Sequence, residues 1–262
     1  MKLALGSAQF GLNYGVSNHS GQVAIDEAKK IIDFAQSVGM NILDTAVIYG
    51  NSEQQLGLIG VDDWKVITKL PLIPDECNSI RKWIKTTICE SLRKLNVSCL
   101  YGILLHKPEQ LLGKNGDFIY QVLDEMKNLG LVRKIGISVY GTTELDAICD
   151  LYRIDIVQAP FNIIDNRLAG SGWLDKLKSQ NTEVHTRSIF LQGLLLLEGN
   201  SRPTKFRHWN NIWRLWDEWL ADTRLSPMQA CVRHALSFNK IDNIIVGVNS
   251  VDQLKEIYDS IN

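Results

Sequence analysis

The feature that most limits the fold is an alternation running the length of the chain. Short apolar or β-branched runs take turns with longer stretches whose apolar residues recur every three to four positions. Expected strands are Lys2–Leu5, Asn41–Asp44, Lys65–Lys69, Leu100–Leu105, Lys134–Ser138, Ile156–Gln158, Glu183–Thr186 and Asn243–Val246. Expected helices are Ile25–Val38, Ser52–Leu58, Cys77–Leu95, Gly116–Leu129, Thr143–Leu151, Trp173–Ser179, a long region from Trp209 to Phe238, and Val251–Ile261. Thr142-Thr143 and Ser250 carry hydroxyls suited to N-caps, and Gly39 and Gly130 fall where helices should stop. Eight strand-then-helix units predict a (β/α)8 TIM barrel, although a doubly wound open sheet would read similarly.

No Pro/Gly/Ser-rich linker divides the chain, so one domain over residues 1–262 is expected, a usual size for one such barrel. The irregular part is Leu196–Arg224, a basic loop followed by a Trp-rich helix. Trp209, Trp213, Trp216 and Leu220 recur at helical spacing and predict core packing. The basic residues from Arg202 to Arg207 are expected near a pocket mouth.

A formal net charge of -1 argues against a protein that binds nucleic acid or anionic membrane through bulk charge, and favours small-molecule partners. Five cysteines in no CxxC spacing point to neither a disulfide frame nor a thiolate metal site, and with the polar N-terminal stretch they predict a cytoplasmic protein. His185, His208 and His234 lack the spacing of zinc ligands, so no metal is expected. The glycines of "LLGKNGD" have no phosphate-loop spacing and read as a turn, and Leu194–Leu197 is too short for a membrane anchor.

In a parallel barrel, chemistry gathers at the carboxyl ends of the strands. The second strand ends in Asp44, the third in Lys69, the fourth leads to His106, the fifth ends in Ser138 and the sixth in Gln158, while Tyr49 follows Asp44 on its loop. Singly, each has a bland explanation: a helix cap, a snorkelling lysine, a structural histidine. Together they converge on one rim. A phenol titrates near about 10 in water and is a weak acid at neutral pH. An adjacent Lys69 ammonium favours the phenolate, Asp44 keeps that lysine charged, and His106 can stabilise charge on a carbonyl oxygen. The set is suited to a polarised carbonyl.

Several ordered motifs resemble the aldo-keto reductase family over nearly the full length. They are "NILDTAVIYGNSE", "VITKL", "GILLHKPE", "GLVRKIGIS", "VQAPFNIIDNR", "RSIFLQGLLL" and "IIVGVNSVDQLKE". The resemblance implies a barrel that binds NADPH, or NADH, without a Rossmann domain, and reduces an aldehyde or ketone, including sugar-derived carbonyl compounds. Asp44, Tyr49, Lys69 and His106 match its catalytic tetrad, with Tyr49 as general acid. Ser138 and Gln158 match the carboxamide contacts. Ser7, Asp44, Arg187, Phe190, Gly193, Gly247, Asn249, Ser250, Gln253 and Glu256 match other cofactor-facing positions.

Three departures accompany the match. Val139 stands where the family usually has Asn after Ser138. Arg187 stands where an aromatic residue commonly stacks on nicotinamide, and if it points inward its charge should favour the reduced cofactor. No cation precedes Lys255 in the last clamp. The sequence ends at Asn262 soon after the last expected helix, without the pocket-narrowing tail of many relatives, and an open mouth for larger polar substrates is expected, walled by the Trp-bearing insert and the loop after His106. Two other readings stay open: a dinucleotide-binding regulatory barrel with little turnover, and a sugar epimerase that recycles its cofactor.

Overall fold

Eight parallel strands pair in chain order, β1 to β8, and β8 pairs back with β1 to close a barrel. The computed structural model describes residues 1–261; Asn262, the last residue of the expected domain, lies outside them. In order, the elements are β1 (Leu3–Gly6), α1 (Ala8–Gly11), α2 (Ile25–Ser37), β2 (Ile42–Asp44), α3 (Ser52–Ile59), β3 (Lys65–Leu70), α4 (Ile80–Leu95), β4 (Gly102–Leu105) and α5 (Gly116–Asn128). There follow β5 (Ile135–Ser138), α6 (Thr142–Ile148), β6 (Ile156–Pro160), α7 (Arg167–Gly170), α8 (Trp173–Ser179), β7 (Glu183–Arg187), α9 (Asn210–Thr223), α10 (Pro227–Leu236), β8 (Asn243–Gly247) and α11 (Val251–Asp259). The protein is a (β/α)8 barrel in one domain, and the open-sheet alternative is set aside.

Closure explains why the strands read as nearly continuous apolar runs: one face meets the helices and the other fills the barrel, so neither meets water. Inside, Ala4, Ile42, Ile67, Leu104, Ile156 and Ile245 form one cluster with Tyr101 packed beneath it. Outside, the larger core lies between strands and helices. Gly136 of β5 is required by this filling, because a Cβ there would overlap the Leu104 side chain and the Ile156 carbonyl. At the amino end, Tyr101 donates to Glu183 at 2.7 Å, and Lys134 donates to Tyr101 at 2.9 Å and pairs with Glu183. Burial opposes ionisation of Glu183, yet the donors His185, Lys134 and Tyr101 bring its pKa down to about 2.

Several local expectations are corrected. The region from Trp209 to Phe238 is two helices, broken where Arg224 turns left-handed at φ 57°; Ser226 then caps α10, its hydroxyl accepting from Gln229 N–H at 3.1 Å, with Pro227 in the first turn. Helix α6 is capped at Gly141 rather than at Thr142 or Thr143, with the Glu144 carboxylate accepting from the N–H groups of Tyr140 and Gly141. Helix α4 starts at Ile80 rather than Cys77, after Ser79, whose hydroxyl accepts from Lys82 N–H. Ser250 caps α11, and Gly39 and Gly130 follow α2 and α5 with positive φ, as expected. Trp213 and Trp216 are buried. Trp209 is 43% exposed because it belongs to the turn before α9 and lies tilted against His208. Arg202 pairs with Asp217 and lies over Trp213, so it braces α9 and lies away from the main cavity. Among the described residues no helix is long and apolar enough to cross a membrane.

Candidate active site

The parity of the strands builds the site. Side chains two apart on a strand share a face. Two residues beyond the interior Ile42, Ile67, Leu104 and Ile156 come Asp44, Lys69, His106 and Gln158. The register that packs the barrel thus sets these polar groups in its carboxyl rim, immediately above the apolar filling.

Asp44 and Lys69 form a buried ion pair, with side chains 6% and 1% exposed. The Lys69 ammonium donates to both carboxylate oxygens, at 2.8 and 2.6 Å, and to the Thr45 carbonyl at 2.9 Å. Gln158 Nε2 donates to Asp44 Oδ1 at 2.7 Å. Burial works to discharge Lys69, but the charges of Asp44 and Tyr49 and the hydrogen bond to Asp44 raise its pKa above the ordinary lysine value. It stays an ammonium. Its Nζ lies 5.2 Å from the Tyr49 ring centroid, and the Tyr49 and His106 rings meet edge-on at 6.1 Å. Burial, and then the Lys69 charge, bring His106 down to about 4, so its imidazole is neutral at pH 7; Nδ1 is buried with no partner.

The Ser-Glu pair after Tyr49 secures this loop. Ser52 Oγ donates to Ser7 at 2.8 Å and lies 3.2 Å from Thr45 Oγ1, while Glu53 accepts from Thr68 Oγ1 at 2.7 Å. Gly11 of α1 has no room for a Cβ against the Tyr49 carbonyl, so α1 and the tyrosine turn are in direct backbone contact. Tyr49 therefore rests on a rigid base.

Beside the rim opens a cavity of about 730 Å³. Of the cofactor-facing positions expected from the sequence, Ser7, Asp44, Arg187, Phe190, Gly193, Gly247, Asn249, Gln253 and Glu256 line it, as does Tyr49. Ser138, Gln158 and Ser250 do not. Ser138 pairs in register with Gln158 inside the rim, and the Ser250 hydroxyl is used as a helix cap. The Ser7 hydroxyl, fully buried, is spent on the Asp44 carbonyl at 3.0 Å. Arg187 donates to the Val139 carbonyl at 2.9 Å and its guanidinium lies 4.7 Å from the Tyr140 ring, so one face of the group is committed while it borders the cavity.

Other residues of the site were not singled out by the sequence. Gln9 is 8% exposed, lines the cavity beneath Gly247, and has a side-chain oxygen with no partner. A glutamine among apolar residues just after β1 was the available signal. Tyr14 lines the cavity too; burial and the neighbouring Tyr49 raise its pKa. After β7, Ser188, Leu191 and Gln192 all have left-handed backbones, with φ of 63°, 48° and 57°. Such strain costs roughly 1–3 kcal/mol at each residue and gathers where a wall must have one shape.

The residues fit a nicotinamide dinucleotide. Gln158 Oε1 and Asn249 Oδ1 are buried acceptors without partners, suited to a carboxamide N–H and to a hydroxyl or amino group. Among the described residues no three His, Cys, Asp or Glu side chains are grouped to hold a metal ion.

Comparison with known proteins agrees with this geometry. An uncharacterized oxidoreductase of Bacillus subtilis, YqkF, is 24% identical over 253 residues, covering 88% of this chain and 81% of its own. An uncharacterized oxidoreductase of Schizosaccharomyces pombe is 29% identical over 153 residues, and there the match spans 49% of this chain and only 45% of the relative's length. Among solved structures, the holo form of the aldo-keto reductase AKR11C1 from Bacillus halodurans superposes with a TM-score of 0.79 at 20% identity, covering 100% of this chain and 86% of its own. The glycerol dehydrogenase AKR11B4 from Gluconobacter oxydans gives 0.77 at 22% identity, with the same coverage. Those likenesses establish the fold. The model of the Aldo/keto reductase family matches residues 2–262, and with the whole described barrel inside that match the chain belongs to this family of oxidoreductases.

Proposed function

We propose that the protein reduces an aldehyde or ketone to an alcohol with NADPH or NADH, and that Tyr49 delivers the proton. The observation that carries the reading is the buried Lys69–Asp44 pair lying 5.2 Å from the Tyr49 ring centroid, with a neutral His106 at its edge. A bound dihydronicotinamide supplies the hydride. The remaining work falls to the chain.

As hydride reaches the carbonyl carbon, negative charge builds on the oxygen, and the Tyr49 hydroxyl transfers its proton there to give the alcohol. The Lys69 ammonium stabilises the phenolate left behind, and Asp44 keeps that ammonium charged and aimed. Gln158 fixes Asp44 through Nε2, which leaves its Oε1 for a carboxamide N–H. His106, neutral at pH 7, offers a ring N–H to the substrate oxygen without adding a full positive charge. Tyr14 and Arg187 give the cavity a polar wall, which suits carbonyl compounds bearing hydroxyls, such as sugar derivatives. The five cysteines are free, which suits a reducing cytoplasm.

Tyr49→Phe tests the assignment. It removes the transferred proton and almost no volume, so kcat should fall by at least about 100-fold while dinucleotide affinity changes less than about threefold. Undiminished turnover in the variant would remove Tyr49 from the chemistry. Quenching by dinucleotide without any consumption in the unsubstituted protein would favour the regulatory barrel.

A further inference from the structure

If the hydride is delivered at Tyr49, as the reading above holds, the nicotinamide must lie at the barrel rim and the rest of the cavity takes the adenosine. The far wall is formed by Asn249, Gln253, Glu256 and Asp259, on and just before α11. A helix N-terminus such as this one is the usual seat for a phosphate, because its N–H groups lack partners and its dipole end is positive.

Here the chain has used part of that donor set itself. Asn249 N–H donates to Gln253 Oε1 at 2.8 Å, Val251 N–H to Glu27 Oε1 at 2.8 Å, and Gln253 N–H to Ser250 Oγ at 3.2 Å. The second of these bonds matters most. Glu27 comes from α2, and its carboxylate already occupies the place to which the helix end would draw an anion. The Val251 bond is also the chief cause that lowers the Glu27 pKa, so the group is charged at neutral pH.

The surrounding charges point the same way. Glu256 and Asp259 add two carboxylates to the wall, and Asp252 lies in the first turn of α11. The nearby cations are committed: Lys30 to Glu27 at 3.2 Å, Lys255 to Asp252 at 3.1 Å, and Arg233 to the Ser260 carbonyl at 3.3 Å. None of the three borders the cavity, and neither do Glu27 and Asp252, which act on it from the end of α11 just behind Asn249 and Gln253. Among the described residues the one cation in its wall is Arg187, bound to Val139 at the opposite, rim end. Asn249 Oδ1, buried and unpartnered, wants a donor. A ribose hydroxyl is one, and a phosphate dianion is not.

We infer that the site takes NADH in preference to NADPH, with Glu27, seated on Val251 N–H, as the residue that turns away the 2′-phosphate. The family resemblance by itself admits either dinucleotide.

The test is the pair of dissociation constants for NADH and NADPH, titrated by fluorescence on the whole protein at low salt and at about 0.5 M salt. NADH should bind at least about tenfold tighter at low salt, a modest value for like charges brought together, and the ratio should shrink as salt screens them. Glu27→Gln keeps an acceptor for Val251 and removes the charge, so it should narrow the ratio about fivefold or more by tightening NADPH. Equal or tighter NADPH binding to the unsubstituted protein would overturn the inference, as would a Glu27→Gln ratio equal to the unsubstituted one. Binding of neither dinucleotide is a different outcome: it would remove the reductase reading, and this inference with it.

Discussion

Lys69→Met is the most informative perturbation of the site. The thioether keeps most of the stem's length and apolar contact but removes an ammonium that makes three hydrogen bonds, two to Asp44 and one to the Thr45 carbonyl. Asp44, 4% exposed, would keep only the Gln158 donor. Breaking a buried pair by deleting one partner costs about 3–5 kcal/mol, because the survivor is an uncompensated buried charge. For a chain this size each kcal/mol moves Tm by about 2–4 °C, so a drop of about 6–20 °C is expected. Lys69→Met/Asp44→Asn removes both charges and leaves a neutral amide whose oxygen can still accept from Gln158. It should recover about half of the loss or more, roughly 2 kcal/mol. Thermal and urea unfolding followed by circular dichroism would measure all three proteins. A single variant within about 1 kcal/mol of the unsubstituted protein, or a double variant no better than the single, would refute the claim that the pair is a desolvated, mutually dependent unit.

Further outcomes concern groups around that pair. The His106 pKa falls from its ordinary value of 6.5 to about 4 in the folded protein, so the unfolded chain binds the extra proton first and stability is lost as pH falls from about 6.5 toward 4. The ring is partly open to solvent, which reduces the loss to about 1–2 kcal/mol; His106→Asn should flatten that slope in urea midpoints taken at pH 7 and pH 5, and an unchanged slope would count against a neutral imidazole held there. Gly136→Ala should destabilise the barrel by about 2–3 kcal/mol by forcing a methyl group against Leu104 and Ile156, and a variant melting with the unsubstituted protein would mean the interior is looser than its packing implies.

The barrel and most of the rim were legible because both follow from one period. Alternation along β2, β3, β4 and β6 places Ile42, Ile67, Leu104 and Ile156 inside, and two residues later must come the groups of the carboxyl rim. Tyr49 was legible as a neighbour of Asp44, but its fixed position depends on Gly11, which meets the Tyr49 carbonyl, and on the bond from Ser52 to Ser7, contacts that exist only after α1 and α3 pack together. Tertiary context decided what the sequence could not. The break at Arg224 was hidden by continuous apolar periodicity across 209–238, although Ser226, Pro227 and Gln229 carry the capping signal. Trp209 has the spacing of a core residue and lies in the turn before the helix that would have buried it. The left-handed residues after β7 have no compositional mark, since none is glycine until Gly193. Glu27 reaches Val251 across 224 positions of the chain, and no local pattern reports such a pairing.

The central claim, hydride transfer at the Tyr49 rim, is tested most directly with a dinucleotide deuterated on both hydrogens of the reduced ring carbon. One equivalent of the protein, the labelled cofactor and an aromatic aldehyde should give an alcohol with one deuterium on its carbinol carbon, with matching loss of absorbance from the reduced cofactor. An alcohol formed without deuterium, or product formed while the reduced cofactor persists, would contradict it.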